Sequence, residues 1–404
     1  MIPPEQLNLP NGSFLRLRRA LYGLKQASRE WHMLISSILI SFGFKQLVSD
    51  SCIFSISRNG LQLILILYVD DMIVASQDKS NIQWLFSELS KHFIMKQSIL
   101  TRCLGIKIDH DTFNKTLSIS KNDYVKNLIK KWNHLIDKIP YRSTPMDDSV
   151  RLSRSDCPTT EEAKTFMSQF PYREIIGALN YLVCTVRADI SFPTNYCARF
   201  MDNPGFIHWT NLLNIVAYLR DNDTAYITYK YPSQLSGMQP NRLYVFVDAD
   251  GSTTDMDNYR PVTACLIFFN GGIISWKTLV QKENSSSITE SEYKAIHDAG
   301  KEAIWITNIL SELGTPLIAS AIFLEDNISS IYATQNPVQH SRLKHIKLIY
   351  HQIRDWVQDR KIELIKIGTE FQLADNLNKA NNSVKFKRFR NEYINVLNST
   401  STLI

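Results

Sequence analysis

Apolar residues recur along this chain at two different periods, and the switches between them mark its elements. Residues 15–24 lead into ALYGLKQASREWHMLISSILISFGF, where Trp31, Leu34, Ile35, Ile38 and Leu39 fall at helical spacing. LQLILIL and MIVAS then flank Tyr68-Val69-Asp70-Asp71. Two β-branched, apolar runs around a short polar turn predict a hairpin with two carboxylates at its tip. A helix is expected over 81–93, strands at TRCLGIKID and KTLSIS, and a helix over 123–132. Further on, 172–185 and 211–220 carry apolar residues three and four apart and read as helices, and ITYKY reads as a strand.

The last third has the clearest element order. Leu243 to Val247 alternates as a strand and ends on Asp248. TACLIFFNGG and IISWKTLV predict two antiparallel strands turning at Gly271-Gly272. A long helix is expected from 287 to 313, then a strand at AIFLED, short helical pieces, a helix over 343–360, a strand at IELIKIG and a helix at FQLADNLNKA. This β-β-β-α-β-α-α-β-α order describes an α/β sheet with helices packed against it.

Composition adds boundaries and exclusions. Residues 140–162 and 230–241 are rich in Pro, Ser, Gly and charge and read as connectors, giving blocks at 1–142, 143–235 and 241–385, with a polar tail at 386–404. Apolar residues are 44% and charged residues 21% of the chain, a globular balance that excludes wholesale disorder. The longest apolar run, 63–69, is far shorter than the about 20 residues that span a bilayer, so no membrane partner is expected. MIPPEQLNLPNG has neither the basic nor the apolar region of a secretory leader, and the six cysteines form no CxxC pair. An intracellular, reducing setting and six buried thiols are expected. The net charge of +6 is compatible with a polyanionic partner but does not by itself indicate one.

Four acids sit at the ends of elements in the last block. Asp248 closes the first strand, Glu292 lies in the first turns of the long helix, Asp326 closes the fourth strand, and Asp375 opens the last helix. Converging carboxylates repel unless cations neutralise them, and hard oxygen ligands suit Mg²⁺ or Mn²⁺. Acids also favour helix N-termini and strand ends without any metal. Glu290 competes with Glu292, and two residues apart on a helix is about 200°, so only one of the pair can face a cleft. His340, His345 and His351 do not share a helical face or complete a metal ligand set, which favours a solvated or substrate-facing helix.

LYVFVDAD, TESEYKAI, IFLEDN and QLADNLNKA resemble the ribonuclease H domain of copia-type LTR retrotransposon polyproteins. That resemblance implies a ribonuclease H-like mixed five-stranded sheet with flanking helices. It assigns the catalytic metal ligands to Asp248, Glu292, Asp326 and Asp375, and turns Arg342 and Lys344 of HSRLKHI toward nucleic acid. LYGLKQASREW, YVDDMIVAS, LGIKI and YREIIGALNYLVCTVRADISFPTNYCARFM resemble, in family order, the reverse transcriptase of the same elements. By that likeness residues 1–142 are a palm and thumb-like part lacking its first segments, and 143–235 a connection. Asp70 and Asp71 are then the palm's metal-binding pair, and Lys25 and Gln26 lie on a helix against nucleotide and template.

A two-metal polymerase needs a third carboxylate. In the family it lies upstream of the segment matching MIPPEQLNLPNGSFLRL, so polymerase inactivity is expected. The implied remaining chemistry is Mg²⁺- or Mn²⁺-dependent cleavage of RNA in an RNA–DNA hybrid, in the cytoplasm (within a virus-like particle) or nucleus, with other segments of the same polyprotein as partners. The competing expectation is a non-catalytic relic that binds nucleic acid. Pro261 is expected to shorten the second strand of the block. Neither an integrase signature nor a DTG triplet is present.

Overall fold

Residues 10, 12, 14, 21, 23–231, 237–251, 254–335 and 347–397 are described by the structure, a computed structural model. The chain divides into two compact units, Met1–Ile99 with Asn308–Pro316, and Leu100–Thr307 with Leu317–Ile404.

The first unit contains α1 (Ala27–Ser41), β1 (Lys45–Gln46), β2 (Ile53–Arg58), β3 (Leu61–Tyr68), β4 (Asp71–Ser76) and α2 (Lys79–Ser90), with the strands antiparallel in the order β1-β2-β3-β4. Alternation along β3 sends Leu63, Leu65 and Leu67 into a core with Ile35 and Leu39 of α1 and Leu85 and Leu89 of α2. Asp78 caps α2, accepting from the Ser80 amide at 2.8 Å.

The second unit begins with β5 (Arg102–Cys103), β6 (Ile106–Asp111), β7 (Thr116–Ser120) and α3 (Asn122–Ile136). It continues with α4 (Glu161–Ser168), α5 (Tyr172–Val183), α6 (Ser191–Ala198), α7 (Phe206–Asp221) and β8 (Thr224–Lys230). Next come β9 (Leu243–Ala249), β10 (Val262–Phe269), β11 (Gly272–Val280), α8 (Ile288–Glu312), β12 (Ala321–Glu325), α9 (Ile328–Gln335), α10 (Lys347–Gln358) and β13 (Ile362–Lys366). The described chain closes with α11 (Asp375–Asn378), α12 (Ser383–Tyr393) and β14 (Asn395–Leu397).

Two five-stranded sheets organise this unit. One is antiparallel in the order β14-β8-β7-β6-β5. The other has the order β11-β10-β9-β12-β13, antiparallel across its first three strands and parallel across its last three. That mixed sheet, with its element order, is the ribonuclease H-like architecture the motifs implied. It is buried on both faces. Val245 and Val247 pack toward α8 and α10, whereas Phe246, Leu266 and Phe268 pack with β8, α11 and α12. Two-sided burial is why β10 reads as a continuous apolar run rather than an alternating one. β10 starts at Val262, directly after Pro261.

Several boundaries fall elsewhere than the composition indicated. The 140–162 connector is built into the core: Met146 and Leu152 are buried beside Tyr196, whose hydroxyl accepts from the Leu152 amide at 2.8 Å. The segment after residue 99 belongs to the second unit, because β7 pairs with β8 and α3 packs in the core that holds α5, α6 and α7. The expected polar tail is α12 and β14. Phe386, Phe389, Arg390 and Tyr393 fall at i, i+3, i+4 and i+7 and are all buried, a face hidden in the sequence by the intervening lysines and arginines. The β10–β11 turn is Asn270-Gly271, with φ of 47° and 81°, one residue earlier than expected. Gly272 instead opens β11, where a Cβ would stand 2.8 Å from the Thr228 carbonyl oxygen. The last predicted helix shrinks to the four residues of α11, because Lys379 leaves it in extended conformation. None of the six cysteines, all among the described residues, is in a disulfide, but only Cys197 and Cys265 are buried, so the expectation of six buried thiols fails. Among the described residues no helix is long and apolar enough to cross a membrane.

Candidate metal centre

Three elements bring the centre together. β9 and β12 run parallel with Phe246 opposite Leu324, so two residues further along each chain Asp248 and Asp326 arrive at the same level. The start of α8 lies over this edge, and Glu292 there accepts a hydrogen bond from the Ala249 amide at 2.8 Å. Ligand oxygens of Asp248, Glu292 and Asp326 all lie within 4.8 Å of one another. Glu290 faces elsewhere, held by Lys294 at 2.8 Å and by the Ser286 amide at 2.9 Å. One face of the helix thus separates the two glutamates, as their spacing requires.

Asp375 lies beside this trio but not in it. Its carboxylate is paired with Lys379 at 2.5 Å and with Lys385. Lys379 also reaches Asp248 Oδ2 at 3.5 Å, and Asn378 Nδ2 donates to the same oxygen at 2.6 Å. Burial pushes the Asp248 carboxyl up to about 8, against the pull of Lys379 and helped by the neighbouring Asp375. Asp375 moves the other way: burial would raise it, but Lys379, a hydrogen bond with Asp248 and Lys385 hold it below the usual carboxylate range.

A fifth acid, Glu325, was not singled out from the sequence. It is fully buried at the end of β12; its Oε1 accepts from the Asn327 amide at 2.8 Å, and Oε2 has no hydrogen-bond partner. Burial raises Glu292 well above its ordinary value, with Glu325, Asp248 and Asp326 adding to it. Burial likewise raises Glu325, with Asp248 and Asp326 contributing. The available signal was β12's alternation, which puts Glu325 on the same inward face as Ala321 and Phe323.

This donor set fits a divalent cation. Three carboxylates converge, two of them forced upward in pKa by burial and mutual repulsion, and an orphaned carboxylate oxygen stands buried next to Asp326. Each feature is relieved by positive charge, and all-oxygen ligation suits Mg²⁺ or Mn²⁺.

Of the other sequence-derived candidates, Asp70 is in the two-residue β3–β4 turn and Asp71 opens β4 opposite Tyr68; both are exposed at the hairpin tip, as the pattern predicted. The preceding Val69 has φ of 54°, unusual for a β-branched residue, and its carbonyl accepts from the Trp31 indole. Lys25 and Gln26 are exposed in the turn ahead of α1, not on the helix as expected, because α1 begins at Ala27 with Gln26 as its N-cap. Arg342, Lys344, His340 and His345 lie outside the described residues, and His351 is exposed on α10. Among the described residues, the trio of Asp248, Glu292 and Asp326 is the one group of three metal-ligating side chains found.

A family model described as reverse transcriptase (RNA-dependent DNA polymerase) matches residues 1–147. The chain is 36% identical over 375 residues to the retrovirus-related Pol polyprotein from transposon TNT 1-94 of Nicotiana tabacum, covering 92% of this chain and 27% of that one. It is 33% identical over 375 residues to the corresponding polyprotein from transposon RE2 of Arabidopsis thaliana, covering 93% and 24%. To that from transposon RE1 of the same plant it is 33% identical over 390 residues, covering 96% and 25%. The chain therefore spans about a quarter of the length of these relatives.

Proposed function

The chain belongs to the Pol polyproteins of copia-type LTR retrotransposons, and from that premise we propose that its mixed-sheet region hydrolyses the RNA strand of RNA–DNA hybrids at a divalent metal centre. The observation that carries this reading is the convergence of Asp248, Glu292 and Asp326 from β9, α8 and the end of β12. A bound Mg²⁺ or Mn²⁺ supplies polarisation of the phosphodiester and eases deprotonation of an attacking water.

The protein's own residues do the positioning. The Ala249 amide fixes Glu292 Oε2, and Asn378 fixes Asp248 Oδ2, so two ligands are pre-aimed by groups that are themselves buried. In the proposed reaction water adds to phosphorus and the 3′-oxygen leaves, giving RNA fragments with 5′-phosphate and 3′-hydroxyl ends. Selection of the RNA strand falls to contacts with its 2′-hydroxyls and to the shape of the hybrid. Arg342 and Lys344 are assigned to the nucleic acid by family likeness, as are Lys25 and Gln26 on the polymerase side.

Asp70 and Asp71 remain the proposed metal pair of the palm. Two-metal phosphoryl transfer draws on a third carboxylate, and among the described residues they form no such trio. An intracellular setting and other polyprotein segments as partners complete the proposal.

The test is end analysis of a cut hybrid. RNA fragments carrying 5′-phosphate and 3′-hydroxyl, formed only with divalent metal, support the reading. Hybrid binding that weakens with salt, with neither strand cut, would identify a non-catalytic binder.

A further inference from the structure

The centre has a fourth carboxylate, yet that carboxylate already has cations. Lys379 stands between Asp375 Oδ1, at 2.5 Å, and Asp248 Oδ2, at 3.5 Å, and Lys385 pairs with the other oxygen of Asp375. Asp375 and Asp248 are both almost fully buried, and both lysine side chains are about one-third exposed. Their ammonium groups therefore enter the centre from its solvent side while their carboxylate partners stay fixed beneath them. We propose that Lys379 is a resident cation filling the place where a second divalent ion would bridge Asp248 and Asp375, so that the centre takes one metal ion, at Asp248, Glu292 and Asp326. The inference rests on the metal-centre reading above and goes beyond it by assigning metal number and a positioning role for Lys379.

Three features argue for this division. Lys379 is carried by the residue after α11, and the extended backbone there, with φ of −149° and ψ of 158°, turns the chain at the point where the side chain returns to Asp375 four residues earlier. Asp248 Oδ2 is shared by Lys379 and Asn378, so this oxygen is committed to the α11 side. Glu325 Oε2, a buried oxygen without a hydrogen-bond partner, lies at the end of β12 next to Asp326. Among the described residues the side-chain ion pairs of the centre fall on Asp375 and Asp248, while Lys366 Nζ meets the backbone oxygen of Asp326 rather than its carboxylate. A divalent ion beside Asp375 must either displace an ammonium or share two carboxylates with it, and like charges at such separations are strongly unfavourable away from bulk water. The lysine contributes charge without the ligand geometry of a metal, holding Asp375 and Asp248 in register for the single ion.

Binding stoichiometry tests this without any substrate. The full chain, carrying Asp70→Asn and Asp71→Asn in every sample so that the proposed palm pair adds no ion to the count, is titrated with Mn²⁺, free ion being followed by electron paramagnetic resonance, with Lys379 as in wild type, Lys379→Met or Lys379→Gln, and circular dichroism confirms folding. The expected result is one ion per chain with Lys379 intact and two per chain in the folded Lys379 variants. Two ions bound with Lys379 intact would overturn the assignment while leaving the metal centre intact. One ion in every folded Lys379 variant would overturn it as well. No ion with Lys379 intact would sink the metal centre itself, and the role of Lys379 with it. If both Lys379 variants fail to fold, the count with Lys379 intact alone decides.

Discussion

Asp189 offers a quantitative test of what holds the larger unit together. It is fully buried and accepts from Arg187 Nε at 2.9 Å, Arg187 Nη2 at 2.8 Å and the Tyr218 hydroxyl at 2.7 Å. Arg187 Nη1 donates to the Asn222 carbonyl at 2.9 Å, and Arg390 of α12 donates to Tyr218 Oη at 3.1 Å and Asn222 Oδ1 at 3.0 Å. One carboxylate therefore meets one buried guanidinium directly and a second, on α12, through the Tyr218 hydroxyl. Asp189→Asn keeps the shape but removes the charge, and it replaces one accepting oxygen by an amide that confronts the guanidinium N–H groups. Stripping one partner from a buried pair costs about 3–5 kcal/mol, and the surviving amide oxygen places this case near the lower end. At a urea dependence of about 2–3 kcal/mol per molar, a loss of about 3 kcal/mol lowers the midpoint by about 1–1.5 M. Hydrogen exchange of the α7 amides, read alongside circular dichroism, assigns the loss to this unit rather than to the whole chain. Replacing both Arg187 and Asp189 by apolar residues is expected to cost less than Asp189→Asn alone, since no charge of that pair is then left stranded. A midpoint for Asp189→Asn equal to that of wild type would refute the view that this network stabilises the unit.

Further outcomes follow from particular contacts. Gly300→Ala should destabilise by about 1–3 kcal/mol, measured by urea unfolding, because the new Cβ meets the Trp356 ring; the gain in helix propensity of about 1 kcal/mol offsets only part of that. Asp248 has a folded-state value of about 8, against about 4 when unfolded. It therefore holds a proton when folded that it has lost when unfolded, and its contribution to stability should fall as pH rises between those values. Thermal melts of the metal-free chain should show that decline, and Mn²⁺ at the upper end of the range should reverse it. Deleting residues 383–404 should unfold or aggregate the larger unit, seen by gel filtration, because it removes Phe386, Phe389 and Tyr393 from the core and β14 from its sheet.

The legible parts of the fold were those written in period and turn chemistry. The hairpin at Asp70 and Asp71, the strand triplet from Leu243, the long α8 and the strands β12 and β13 all follow from local pattern. Segments whose structure depends on distant partners were not legible. Met146 and Leu152 are two apolar residues in a polar stretch, and only their burial beside Tyr196 makes the connector part of the core. Arg390 counts as a surface charge in composition, and only its partners Tyr218 on α7 and Asn222 just after it make it a buried one. At the metal centre, three acids were found from element ends and family motifs; helical geometry allowed only one of Glu290 and Glu292 to face the cleft, and the family motif chose Glu292. Pairing of Asp375 with two lysines was not readable, since Lys385 lies on the next helix. Glu325 was passed over because its neighbour Asp326 carried the motif.

The most direct test of the metal-dependent ribonuclease reading is strand-resolved cleavage. An RNA–DNA hybrid labelled separately on each strand is incubated with the purified chain and Mg²⁺ or Mn²⁺, beside an Asp326→Asn variant shown to be folded. The expected result is cutting of the RNA strand alone, abolished by chelation and by the variant. Both strands left intact by a folded, metal-loaded wild-type chain would contradict it.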